Sequence, residues 1–145
     1  MSAPNETTND AGAPHGTLEV IDLQQRFGQF DDAWNPRVVA ELNGQQVKVA
    51  KLRGDFVWHH HRDEDELFWV ISGVLEMGVR KPLPGGEVEE TVDVIGPGQI
   101  YVVPRGVDHR PVARDEVQLV MFEPATTLNT GNADDDRRVD ELEKL

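Results

Sequence analysis

Apolar residues recur in short runs along most of this chain, and the spacing within the runs changes near residue 36. Before it, Leu23, Phe27 and Phe30 fall on one helical face behind Asp22, a residue type whose side chain accepts hydrogen bonds from the free N–H groups that open a helix. The spacing predicts a short helix over 22–30, broken by Trp34-Asn35-Pro36. After it, runs at 38–42 and 47–52 flank Asn43-Gly44, a pair favoured in two-residue hairpin turns. Further strands are expected over 56–61, 67–71, 74–79, 88–95, 100–103, 109–113 and 117–122. Ser72-Gly73, the loop Lys81-Pro82-Leu83-Pro84-Gly85-Gly86 and Gly96-Pro97-Gly98 separate several of them. Short strands about ten residues apart, with turn signals between them, predict an all-β sandwich or barrel.

The two ends read differently. Residues 1–16 carry too little apolar content to offset the entropy of ordering, so a disordered tail is expected, with His15 solvated in it. The tail has no apolar core of the kind a signal peptide needs. Residues 126–133 are small and polar. Residues 134–145 are acidic, with Val139, Leu142 and Leu145 at helical spacing, and either a short helix or a disordered tail fits them. The expected organisation is therefore a tail over 1–16, one β-domain over 17–125 and an acidic C-terminal segment over 126–145.

Composition narrows the function classes. The net charge of −13 repels phosphate backbones and anionic lipid, so neither a nucleic-acid nor a membrane partner is expected. No apolar run approaches the roughly 18 residues that span a bilayer. The chain lacks cysteine, which excludes disulfides and thiolate metal sites and suits a cytoplasmic location.

The candidate chemistry is concentrated in a few positions. His59, His60 and His61 stand in a row, with Glu66 five positions after the last and His109 further on. Side chains alternate faces along an extended strand, so His59 and His61 can share one metal while His60 points away. Glu66 and His109 would complete a mixed nitrogen and oxygen site. Imidazole and carboxylate donors suit one divalent transition metal, Fe, Mn, Ni, Co, Cu or Zn, without choosing among them. Phe68 shares the parity of Glu66 and is expected to line the same pocket, as is Tyr101 on the strand leading to Pro104. Asp63, Glu64 and Asp65 read as a solvated turn. Lys48, Lys51 and Arg53 read as solvated sheet edges, with an anion-binding role inside the barrel as the alternative.

The spacing resembles that of the cupin superfamily. Its motifs are G-x5-H-x-H-x3,4-E-x6-G and G-x5-P-x-G-x2-H-x3-N, and they are met here by Gly54, His59, His61, Glu66 and Gly73, then by Gly98, Pro104, Gly106 and His109. Two positions depart: the first gap is four residues rather than five, and Ala113 stands where the family often has Asn. The resemblance implies a jelly-roll β-barrel, a metal held by His59, His61, Glu66 and His109, a small-molecule substrate, and a homodimer formed through N-terminal strands. Cupins with these motifs include dioxygenases and sugar-phosphate isomerases. A metal-dependent enzyme is therefore expected, with a non-catalytic small-molecule binding or sensor module as the alternative.

Overall fold

The computed structural model describes residues 18–145, so the tail expected over 1–16 lies outside the described residues. The short helix α1 spans Leu23–Phe27, and the Asp22 side chain accepts from the Gln25 N–H at 3.0 Å, as its position predicts. The helix stops three residues early: the Gly28 N–H closes the last turn on the Gln24 carbonyl, and the Gln29 N–H turns back to the Arg26 carbonyl, both at 3.1 Å. Phe30 still joins Phe27, with ring centroids 6.1 Å apart.

Seven strands follow among the described residues: β1 Arg37–Leu42, β2 Gln45–Asp55, β3 Glu66–Ser72, β4 Leu75–Pro82, β5 Val88–Ile95, β6 Ile100–Val103 and β7 His109–Pro124. All strand pairs are antiparallel. The path runs β1-β2-β7-β3-β6, and β4 joins β7 to β5. The two strands expected over 109–113 and 117–122 are thus one. Its first part pairs with β4, its last with β3, and β2 runs beside it for most of its length, so β7 bends the sheet around a single core. This wrapped antiparallel arrangement is the expected jelly roll.

Alternation along β2 explains where that core sits. Ala50 and Leu52 point inward with Phe68, Val70, Leu75, Met77, Leu119 and Met121. Val49 points outward, where Phe27, Phe30, Val39 and Val120 form a second cluster under α1. Covering Phe27 there stabilises the fold by about 2 kcal/mol.

Three further expectations change. Residues 56–61 do not form a strand; β2 ends at Asp55, and only an isolated bridge joins His59 to His109. The facing residue, Pro111, has no N–H to give, so a continuous ladder cannot run there. Second, residues 125–145 form no helix. They fold back over the barrel, where the Val38 N–H donates to the Glu143 carbonyl at 2.9 Å and the Leu145 N–H to Val38 at 3.0 Å. Third, Lys48 is no solvated edge residue: it is 1% exposed, inside the barrel. No helix among the described residues is long and apolar enough to cross a membrane.

Candidate metal centre

His59 sits on the segment after β2, His61 just before the acidic turn, Glu66 at the start of β3 and His109 at the start of β7. All four are buried, and their donor atoms lie within 4.8 Å of one another. Backbone contacts draw these segments together. His59 and His109 exchange N–H···O bonds of 3.0 and 2.9 Å, and the Gly106 N–H reaches the His61 carbonyl at 2.7 Å. The Pro104–Gly106 corner therefore presents His109 and braces His61 together.

The tautomers are set locally. Nδ1 of His59 lies 2.9 Å from the Val57 carbonyl, and Nδ1 of His109 lies 2.9 Å from the Val107 carbonyl. A carbonyl only accepts, so each Nδ1 carries the proton and each Nε2 presents a lone pair. Yet His109 Nε2 stands 3.1 Å from Glu66 Oε1, and His61 Nε2 stands 2.7 Å from the same oxygen without hydrogen-bond geometry. Lone pair facing carboxylate is satisfied only by a cation between them, either an extra proton or a metal ion. The four residues fit a divalent metal and could hold one.

Burial, with the neighbouring His109, pushes the His59 pKa down to about 4. In the metal-free protein we expect NMR titration to show this ring neutral from pH 7 to pH 5 and charged only near pH 4. Its contribution to stability is full above the unfolded value of about 6.5 and is lost as pH falls towards the folded value. Protonation near pH 6.5, the ordinary histidine range, would contradict the burial argument.

A second buried pair adjoins the centre. Lys48 Nζ donates to Glu123 Oε1 at 2.7 Å, both side chains being 2% exposed. Burial, and then the charge of Glu66, push the Glu123 carboxyl well above its ordinary range, with Lys48 opposing. Burial acts to raise Glu66 too, but contacts with Glu123, His109 and His61 outweigh it and hold Glu66 well below. Glu123 is not among the residues the sequence singles out, and Lys48 enters there only through the alternative of an anion-binding role inside the barrel. The available signal was parity: Lys48 alternates with Ala50 and Leu52, and Glu123 with Leu119 and Met121, all inward-facing.

A cavity of about 40 Å³ reaches the centre, lined by His59, Glu66 and Glu123 and by apolar side chains that include Phe56, Phe68, Leu119 and Met121. Phe68 therefore lies where parity puts it, with its ring 6.2 Å from that of His109. Tyr101 does not line the cavity. Its hydroxyl donates to Asp93 at 2.6 Å, and burial together with that carboxylate raises its pKa. His60 points away as expected, its Nδ1 2.8 Å from Asp108. Asp65 pairs with Arg105 rather than joining the site.

A family model described as the cupin domain matches residues 45–124, more than half of the chain and all four candidate ligands. The chain belongs to the cupin family. A cupin-2 domain containing protein from Shewanella frigidimarina NCIMB 400 is 38% identical at a TM-score of 0.65, covering 72% of this chain and 94% of that one. An uncharacterized protein, YdbB of Bacillus subtilis (strain 168), is 31% identical over 72 residues, which are 50% of this chain and 57% of that relative's length. Hydroquinone 1,2-dioxygenase from Sphingomonas sp. TTNP3 shares the fold at a TM-score of 0.63 and 19% identity, covering 74% of this chain and 33% of that one.

In this cupin the shortened first gap does no harm, since Gly54 takes a positive φ of 81° at the bulge in β2 and His59 and His61 still converge. Ala113 is fully buried in the core and touches none of the site's chemistry. Gly73 cannot be replaced without a collision: a Cβ there meets the Glu116 carbonyl. The C-terminal strap is the part that sequence reasoning placed outside the site. Asn132 accepts the His60 N–H at 2.8 Å and donates its own N–H to the His60 carbonyl at 3.2 Å, pinning the residue between His59 and His61.

Proposed function

We propose that this cupin is a metal-dependent enzyme acting on a small molecule, with one divalent transition metal held by His59, His61, Glu66 and His109. The observation that supports it best is the facing of His109 Nε2 and Glu66 Oε1 at 3.1 Å in a buried cluster, which calls for a cation. When bound, such an ion polarises a substrate oxygen or activates dioxygen. The chain's own residues do the rest. The Val57 and Val107 carbonyls fix the imidazole tautomers and orientations. Phe56, Phe68 and Leu119 keep the inner wall apolar and limit water at the centre. Dioxygenase and isomerase chemistry both suit the donor set, and the Sphingomonas dioxygenase exemplifies the first on the same fold.

The test is metal analysis of protein purified without chelator or nickel resin, followed by turnover assays on the loaded protein. We expect about one ion per chain and turnover lost on metal removal. Phe68→Trp should abolish turnover with the ion retained, because the larger ring fills the cavity. Ligand binding without turnover would favour the alternative, a binding or sensor module.

The strap tests the ligand geometry. Gly131 has a φ of +54°, and a Cβ there meets the His60 carbonyl. Gly131→Val should lower metal affinity by about 10–100-fold, as when other groups supporting ligands are lost. Unchanged affinity in a folded variant, measured by competition with a chromophoric chelator, would show that the strap does not position the ligands.

The reading includes a cytoplasmic homodimer. Pairing through the N-terminal strands is the expected mode, and Leu42 of β1 is exposed there; a further apolar face would also suit a partner. It lies on β3 and β6, where Trp69 and Ile100 are register partners, as are Leu67 and Val102, and Trp69, Ile100 and Val102 stand exposed.

A further inference from the structure

We infer that the cavity receives the hydroxyl-bearing end of a neutral, otherwise apolar small molecule, and that Glu123 selects for the hydroxyl. The inference rests on the reading of the centre as a small-molecule site and specifies its ligand.

Polar atoms are unevenly placed around the cavity. His59, Glu66 and Glu123 line it beside the metal cluster, Asn129 from the strap also contributes, and the remaining wall is apolar, including Leu52, Phe56, Phe68 and Met121. Within this set Glu123 is unusual. Its Oε1 is occupied by Lys48 at 2.7 Å, but its Oε2 is buried with no N–H or hydroxyl donor in the protein, while the Glu66 carboxylate stands beside Glu123. A buried polar atom left without a partner is costly, and one lining a cavity can find its partner in a ligand. A hydroxyl suits it in either state: it donates to the ionised oxygen, and it accepts from the protonated one in competition with Glu66.

The charges point the same way. No lysine or arginine lines the cavity: Lys48 is held by Glu123, and Arg137, which packs on the Phe56 ring at 4.6 Å, is held by Asp135. A phosphate would lack the bidentate cationic clamp that such groups use, and would stand against Glu66. A bound metal contributes positive charge, but that suits one oxygen and supplies no hydrogen-bond donors for the others. Size sets the remaining limit. About 40 Å³ holds only a few atoms, so only the hydroxylated end enters. The rest of the ligand lies along Trp34 and Phe56, whose rings stack 4.6 Å apart at the cavity wall.

The experiment compares phenol, benzene and phenyl phosphate by calorimetry on zinc-loaded and metal-free protein. Phenol should bind the wild type at least about tenfold more tightly than benzene, the value of one net hydrogen bond, and more tightly than phenyl phosphate. In the double variant Lys48→Met with Glu123→Leu, which removes both buried charges together, the preference over benzene should vanish. Equal binding of phenol and benzene, tightest binding of phenyl phosphate, or an undiminished preference in the double variant would each overturn the inference. Should that variant not fold, methyl NMR of the wild type decides: phenol must shift Met121 and Leu119 but not the exposed Val92, and the absence of those shifts overturns it. Zinc content is measured on the same samples. Protein that holds zinc without preferring phenol refutes this inference alone. Protein that holds no zinc refutes the metal reading, while the metal-free titration still judges Glu123.

Discussion

Alanine at His109 should empty the metal centre. His109 is fully buried, its Nε2 faces Glu66 at 3.1 Å, and its backbone holds His59 through two hydrogen bonds. Removing the ring deletes one of three imidazole donors and leaves the other partners around a void. We expect metal affinity to fall by more than about a hundredfold, beyond the usual loss on removing a supporting group. Alanine at His61 should act similarly, because its Nε2 lies 2.7 Å from the same carboxylate oxygen. Alanine at His60 should leave metal content close to that of the wild type, since its ring contacts Asp108 and not the cluster. Elemental analysis of the three variants after dialysis is the measurement. Equal losses at His60 and His61 would refute the assignment of faces.

The second large effect concerns stability. Glu123→Leu alone leaves the Lys48 ammonium buried, with its carboxylate partner at 2.7 Å removed. Breaking a buried ion pair from one side costs about 3–5 kcal/mol, a large share of a domain's stability. The double variant with Lys48→Met removes both desolvated charges and fills the space with apolar atoms, so most of that loss should be recovered. Urea unfolding of metal-free protein measures both. Equal destabilisation in the single and double variants would show that the residues matter as packing volume and not as a charge pair.

The two predictions differ in how visible their residues are in the chain. The candidate metal cluster is legible because residues close in sequence obey local geometry. His59 and His61 are two apart, and the motif glycines Gly73 and Gly98 mark turns where the structure has positive φ. The expected strand over 56–61 was wrong, yet its consequence held, since the His59–His109 bridge keeps the two side chains of the pair on the cluster. Lys48 and Glu123 were harder to see. A charged residue in a strand is usually solvated, and the alternation placing it inward becomes decisive only when both faces of that strand are known to be covered. Tyr101 shows the opposite failure, for its place on the strand leading to Pro104 suggested the pocket, but it packs at the edge of the core and its hydroxyl donates to Asp93.

The sequence by itself determined the all-β class, the helix cap at Asp22, the turn positions and the four residues of the candidate centre. Each depends on interactions within a few residues or on the spacing of a motif. Tertiary structure decided that β7 is one strand, that Lys48 and Glu123 form a buried pair beside the centre, and that the C-terminal strap pins His60. These depend on contacts between distant segments: Lys48 and Glu123 are 75 positions apart, and His60 and Asn132 are 72 apart. Local propensity carries no information about which distant partner offsets the cost of burying a charge or caps a backbone N–H, because that partner is supplied only once the sheet has closed.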